Sequence, residues 1–140
     1  MWTTKPGPTA RARKAKRRAI QDAIRECYRL VDLRDRGRSW VSLKPTMEGV
    51  SSDQLRRERH HLDRRSTHPE RVADPFNVIT VTAAEAEHLD AHRLIPVDLT
   101  GCETHDTRLI AGFAWNGAPG ADITVETLIP LTSRIVRRLD

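Results

Sequence analysis

Apolar residues recur at spacings of three and four in the first third of the chain, which predicts a helix with one buried face. The pattern covers residues 10–34, and Gly37 marks its end. Residues 1–9 contain two prolines and one glycine, so we expect a flexible arm before the helix. The apolar stripe consists of Ile20, Ala23, Ile24, Cys27, Leu30 and Val31.

β-Branched and alternating residues predict short strands in the middle of the chain. We expect strands over 39–43 and 55–62, and a third over 77–81, where the sequence is Asn-Val-Ile-Thr-Val. The polar segment 63–76 contains two prolines and is expected to form a loop. The second and third strands would then lie on either side of that loop.

A helix is predicted directly after the third strand. Thr82 and Glu85 match the capping box, in which each side chain accepts a hydrogen bond from the other residue's backbone N–H. We expect this helix over 83–93, which makes residues 55–93 a compact ββα unit. Further strands are predicted over 95–99 and 108–115, and 123–129 is left open between strand and helix.

Length and composition support one domain. Of the 140 residues, 38% are hydrophobic and 4% aromatic, which is enough for one small aliphatic core. We therefore expect an α+β fold over 10–140, with an N-terminal basic helix and a short C-terminal β extension around the ββα unit. Two distant cysteines, Cys27 and Cys102, and the lack of a long apolar run predict a soluble, cytoplasmic protein with reduced thiols.

The chain is basic, with 24 Lys+Arg against 19 Asp+Glu and a formal charge of +5. Its arginine excess suits bidentate contacts with phosphate, so we expect a polyanionic partner. An ordinary solvated surface is the alternative interpretation for any one cluster. The clusters are Arg11, Arg13, Lys14, Lys16, Arg17 and Arg18; Arg34, Arg36 and Arg38; and Arg56, Arg57, Arg59, Arg64 and Arg65.

Four of the six histidines lie on the predicted strands and helix of the ββα unit, where they could converge. His60 and His61 form a doublet on or at the end of a strand, whereas His88 and His92 are spaced i, i+4 and share one helix face. Such a helical pair can bind one metal ion, and the doublet offers a third nitrogen ligand and one free imidazole. Alternatively the histidines are solvated and Asn77 caps a turn. The grouping of all four favours a metal site.

The segment 57–93 resembles the HNH endonuclease motif, in the variant of colicin-type bacterial DNases and many small phage nucleases. The resemblance implies a ββα-metal (His-Me finger) core. Many members carry a zinc-binding Cys pair where this chain has Ser39 and Ser42, so no structural zinc is expected. The matching stretches are Glu58-Arg59-His60-His61, Asn77-Val78-Ile79-Thr80-Val81 and Glu87-His88-Leu89-Asp90-Ala91-His92.

The resemblance also implies a role for each matching residue. His61 would be the general base, and the Asn77 side chain would bond the backbone of the loop that orients His61. Glu58 would support a phosphate-binding arginine or a ligand imidazole. The implied metal ligands are His60, His88 and His92. The arginines expected to contact the DNA backbone are Arg56, Arg57, Arg59, Arg64 and Arg65, with Arg17 and Arg18 on the first helix.

One spacing departs from the family pattern. The interval from Asn77 to His88 is about two residues longer than usual, and in the usual register the ligand positions would fall on Ala86 and Asp90. Alanine cannot bind a metal. We therefore expect a longer strand-to-helix connection that returns His88 and His92 to the inner face. A degenerate site using Asp90, or no competent site, is left open.

The resemblance implies hydrolysis of DNA to 5′-phosphate and 3′-hydroxyl ends, with a neutral imidazole activating water beside one divalent ion. Mg²⁺ or Mn²⁺ is expected to support activity, and Zn²⁺ or Ni²⁺ to bind. DNA is the expected partner through largely sequence-independent backbone contacts, with no membrane; the oligomeric state is left open. The alternatives are a non-catalytic nucleic-acid-binding protein with a degenerate HNH fold, and a structural zinc module.

Overall fold

The computed structural model describes residues 8–126. It is a mixed α+β fold, as predicted, with two helices and two small antiparallel sheets. The predicted arm over 1–9 lies outside the described residues except for residues 8 and 9, which already belong to a helix. The end of the segment 123–129 also lies outside them. The elements are α1 (Pro8–Asp35), β1 (Arg57–His61), β2 (Val78–Thr82), α2 (Ala83–Asp90), β3 (Leu94–Val97) and β4 (Gly112–Trp115).

The predicted first helix is confirmed, and only the C-terminal part of α1 packs against the body. Cys27 and Val31 are buried and cluster with Val78 at the start of β2. The Arg34 guanidinium donates to the carbonyl oxygens of Pro75 and Val78, at 2.7 and 2.6 Å. Residues 11–19, in contrast, are all exposed. Within residues 8–126 no helix is both long and apolar enough to cross a bilayer.

The β1–β2 hairpin lies between α1 and the main core. Directly opposite residues of an antiparallel pair share a face of the sheet, and His60 is opposite Ile79 whereas His61 is opposite Val78. Val78 packs on α1, and Ile79 belongs to the main core. β2 is buried along its whole length because both of its faces are covered.

The main core joins the hairpin, α2 and the β3–β4 sheet. Strands near the predicted positions 95–99 and 108–115 do pair, with Leu94 opposite Trp115. The strand predicted over 39–43 is wrong: these residues form a turn that places Trp40 and Val41 in the core. Leu43 has a φ of 63°, which a strand does not allow. Burial of this turn, not sheet pairing, explains its apolar residues.

The capping box at the start of α2 is confirmed. Thr82 Oγ1 accepts from the Glu85 N–H, and the Glu85 carboxylate accepts from the Thr82 N–H at 2.8 Å. α2 therefore begins immediately after β2, with no connecting residues. It ends at Asp90, three residues before the predicted end at 93, and His92 has a φ of 59° where the chain turns into β3.

Candidate active site

The histidine doublet occupies the last two positions of β1 and its two side chains take opposite faces of the hairpin. Successive strand residues alternate between faces. His60 borders a pocket that α2 also lines. His61 lies on the α1 side, where its ring centroid is 6.2 Å from that of Tyr28. The doublet therefore stands at the loop end of the hairpin, between the two helices.

The His61 imidazole is anchored to the loop that connects β1 and β2. Its Nε2 lies 3.0 Å from the carbonyl oxygen of Val72. A carbonyl only accepts hydrogen bonds, so in the neutral ring this contact assigns the proton to Nε2 and leaves the lone pair on Nδ1. The ring is thus held in the tautomer that presents Nδ1 as a base.

Asn77 clamps the same loop from inside. Its side chain is fully buried, and its Oδ1 accepts from the Asp63 N–H at 2.7 Å. Its Nδ2 donates to the carbonyl oxygens of Asp63 and Arg71, at 3.1 and 3.0 Å. Because Arg71 directly precedes Val72, these bonds position the carbonyl that holds His61. We expected the Asn77 side chain to bond the backbone of this loop, and the structure identifies the backbone groups as those of Asp63 and Arg71.

His60 is a largely buried imidazole next to a carboxylate. Its Nδ1 is 3.6 Å from Asp90 Oδ1, which is longer than a hydrogen bond. Burial lowers the pKa of His60 to about 4, against the opposing effect of Asp90, while the nearby charges of His61 and Arg64 lower it further. At neutral pH the ring is therefore uncharged and keeps a lone pair that a metal ion can bind.

These groups share one pocket of about 230 Å³. Two imidazoles, two carboxylates and three guanidinium groups meet there. The Arg64 side chain donates to the backbone carbonyl oxygen of Asp90 at 2.8 Å, and Arg65 is exposed beside it. A phosphate entering this pocket would meet both positive charge and the two imidazoles. The pocket is lined by Glu58, Arg59, His60, His61, Arg64, Arg65, Ala86 and Asp90.

The predicted convergence of four imidazoles is wrong, because α2 has the register that puts Ala86 and Asp90 at the pocket. His88 is displaced from them by two residues, about 200° around the helix. It is buried elsewhere, with Nε2 2.8 Å from Asp122 Oδ1, and Nδ1 accepts from Arg93 Nε at 3.1 Å. The ring of His88 also meets the Trp115 ring edge-on, at 5.2 Å. His88 thus fastens the segment after β4 to the core.

His92 follows the end of α2 by two residues and is not among the residues that line the pocket. Its side chain is 64% exposed, and its Nε2 is 3.5 Å from Glu103 Oε1. It is therefore not a partner of His60. The degenerate arrangement, with Asp90 in place of an imidazole, is the one that the structure places at the pocket.

Two of the arginines expected to contact DNA are instead bound within the protein. Arg57 donates to the hydroxyl and the carbonyl oxygen of Thr46, at 2.8 and 3.1 Å. Arg59 pairs with both carboxylate oxygens of Asp32 and stacks over Tyr28. Several N–H donors of each arginine therefore already have acceptors within the protein, so we expect a structural role for both; their contact with DNA stays an untested prediction.

The other arginines expected to contact DNA, and the supporting residue Glu58, are exposed or half-buried. Arg56 is half-buried and pairs with Asp53 at 2.8 Å. Glu58 is exposed, and its nearest ion-pair partner is Arg56 at 4.0 Å. Arg64, Arg65, Arg17 and Arg18 are exposed. Of these four, only Arg64 and Arg65 border the pocket.

Ser39, which stands where many HNH nucleases have a zinc-binding cysteine, has a different role. Its hydroxyl donates to the buried Glu85 carboxylate and accepts from the Val41 and Ser42 N–H groups. Residues 8–126 contain no group of three or more His, Cys, Asp or Glu side chains placed to hold one ion. Comparison of the chain with protein-family models, curated proteins and solved structures gave no match.

Proposed function

We propose that this protein is a metal-dependent endonuclease that hydrolyses DNA phosphodiester bonds, with His61 as the general base. The observation that carries the proposal is the orientation of this imidazole. Its Nε2 faces the Val72 carbonyl at 3.0 Å, in a loop that the Asn77 amide holds through three hydrogen bonds. A base with a fixed tautomer, beside a cationic pocket, suits attack of water on a phosphodiester.

His60 and Asp90 fit one divalent cation, which would be Mg²⁺ or Mn²⁺. Two ligands of one ion, each bonded at about 2.1 Å, lie roughly 3.0–3.4 Å apart when they are neighbours in its coordination sphere. The observed 3.6 Å between His60 Nδ1 and Asp90 Oδ1 is close to that separation. Mg²⁺ commonly takes one or two protein ligands and completes its shell with water and substrate phosphate. When bound, the ion supplies a positive charge that stabilises the phosphorane-like transition state.

The chain's own residues then account for the proton transfer and the positioning of the substrate. His61 Nδ1 takes a proton from water as the water oxygen forms a bond to phosphorus. The bond from phosphorus to the 3′ oxygen breaks, and that oxygen takes a proton from solvent, which leaves 5′-phosphate and 3′-hydroxyl ends. Arg64 and Arg65 hold the phosphate by charge-assisted hydrogen bonds. His61 finally returns its proton to solvent.

Cleavage of supercoiled plasmid with Mg²⁺ or Mn²⁺ tests this proposal. His61→Ala should lose at least about 100-fold in rate, the usual contribution of a general base. Asp90→Ala should lose activity that a higher Mn²⁺ concentration partly restores, because it removes a ligand. His92→Ala is the matched control: it removes an exposed imidazole that follows α2 and does not line the pocket, and should cut as the wild type does. Equal activity of the wild type and His61→Ala would refute the proposal.

A non-catalytic nucleic-acid-binding protein is the second candidate. Ala86 at the pocket and the absence of a three-ligand group within residues 8–126 favour it. It predicts that the wild type binds plasmid but leaves it intact with every divalent ion. It also predicts that Asp90→Ala changes neither DNA binding nor metal binding.

A further inference from the structure

The N-terminal half of α1 extends past the end of the hairpin that carries the pocket. Along β1 the contacts with α1 move from Asp32, which pairs with Arg59, to Tyr28, which lies beside His61. The helix therefore runs antiparallel to β1, and its earlier residues continue beyond His61. Residues 11–19 are all exposed, as expected for a helix that has left the body.

This exposed part of the helix carries positive charge only. Residues 8–21 contain six Lys or Arg side chains and no Asp or Glu, and the first acidic residue is Asp22. None of the six has an ion-pair partner among residues 8–126, whereas Arg25 and Arg29 pair with Asp22 and Glu26. Six positive charges without ion-pair partners, over about two helical turns, create a strong local positive potential, which favours a polyanion as the partner.

The cations divide into two rows. One row continues the buried face of Ile24, Cys27 and Val31 toward the N-terminus, at spacings of three and four, and we call it the inner row. The other row continues toward Arg25 and Arg29, which are exposed, and we call it the outer row. The inner row is Arg13, Lys16 and Arg17, which border one open concavity with Ala10 and Ile20. The outer row is Arg11, Lys14 and Arg18.

We infer that the inner row binds the backbone of duplex DNA to one side of the bond that is cut, an inference that rests on the proposed nuclease function. From Tyr28, at the level of His61, Arg17 is 11 residues away and Arg13 is 15 residues away, or about 17 and 22 Å along a helix. Successive phosphates of one strand are about 3.4 Å apart along the duplex axis. With the helix lying along the duplex axis, which the proposal requires, the contacts fall about five to seven base pairs from the scissile phosphate, and the substrate is a duplex that extends at least that far on this side.

Binding to blunt duplexes of mixed sequence tests the inference without requiring cleavage. The inner-row variant replaces Arg13, Lys16 and Arg17 with Gln, and the outer-row variant replaces Arg11, Lys14 and Arg18 with Gln. Both remove the same charge from one helix, and Gln keeps a good helix propensity. For the inner-row variant, the slope of log affinity against log salt should fall by about 3, close to 0.9 per lost phosphate contact. The outer-row variant should keep most of the wild-type slope.

Duplex length gives the second measurement. Wild-type affinity should rise as the duplex is lengthened from about 8 to about 16 base pairs, because the inner row then reaches phosphates of the longer duplex. The inner-row variant should not show this rise. Equal effects of the two variants would overturn the inference, as would binding to phosphatidylserine vesicles that competes with DNA and depends on the inner row. If the wild type cuts DNA but both variants bind normally, the inference fails and the nuclease proposal stands. If no DNA is cut but the inner row controls the slope, the DNA contact stands and the nuclease proposal fails.

Discussion

Removing the Asn77 side chain is expected to loosen the loop that orients His61. Asn77 is fully buried and makes three hydrogen bonds to the backbone of Asp63 and Arg71. A buried hydrogen bond contributes about 1 kcal/mol, so Asn77→Ala should lower the free energy of unfolding by about 3 kcal/mol. That is a large part of the roughly 5–15 kcal/mol that stabilises a small domain.

Urea denaturation measures this loss, and Asn116→Ala is the matched control. Asn116 makes one exposed side-chain bond, to the His92 carbonyl oxygen at 3.0 Å, and its removal should cost less than about 1 kcal/mol. Amide hydrogen exchange adds a local measurement, because the Asp63 N–H loses its acceptor only in Asn77→Ala. If the two variants lose the same free energy of unfolding and the Asp63 amide is still protected from exchange in Asn77→Ala, Asn77 does not hold this loop in place.

Two further predictions concern charges near the pocket. For His60, the folded-state pKa of about 4 lies below the ordinary value of 6.5, so the unfolded state binds more protons between these values. In metal-free buffer the free energy of unfolding should fall by up to roughly 3 kcal/mol as the pH drops from about 6.5 to about 4. His60→Gln should make the free energy of unfolding less dependent on pH in this range. The same pH dependence in the variant and the wild type would contradict the burial of a neutral His60 ring. Arg59→Gln breaks the half-exposed ion pair with Asp32, so it should lower the free energy of unfolding, measured by urea denaturation, by about 1 kcal/mol. It should leave the salt dependence of DNA binding unchanged. If this variant lowers the slope of log DNA affinity against log salt, Arg59 contacts the DNA backbone after all.

The sequence predicted those parts of the fold whose signals are local. The apolar spacing of α1 and the Thr82–Glu85 capping box each depend on residues within a few positions, and both elements formed as expected. The position of the doublet at the end of β1 followed from the strand pattern. The buried turn at Trp40 and Val41 was mistaken for a strand, because apolar residues in a turn and in a strand look alike when the partner that buries them is distant in sequence.

The prediction of a four-histidine metal site was wrong because of the helix register of α2, and the sequence contained the signal that fixes this register. A longer connection between β2 and α2 was needed to turn His88 toward the doublet, but the capping box at Thr82 starts α2 immediately after β2. With that start, the geometry of the helix directs Ala86 and Asp90 to the pocket and His88 to the opposite side. The Val72 carbonyl that holds His61 has no sequence signal, because every residue carries the same backbone oxygen.

The site of the metal is tested most directly by anomalous scattering from Mn²⁺ in crystals of the His61→Ala variant with a short duplex. A single Mn²⁺ bonded to His60 and Asp90, with a phosphate oxygen of the duplex in its coordination sphere, is the expected result. An ion held by His88 or His92, or a duplex bound with its backbone away from the His60 pocket, would contradict the account.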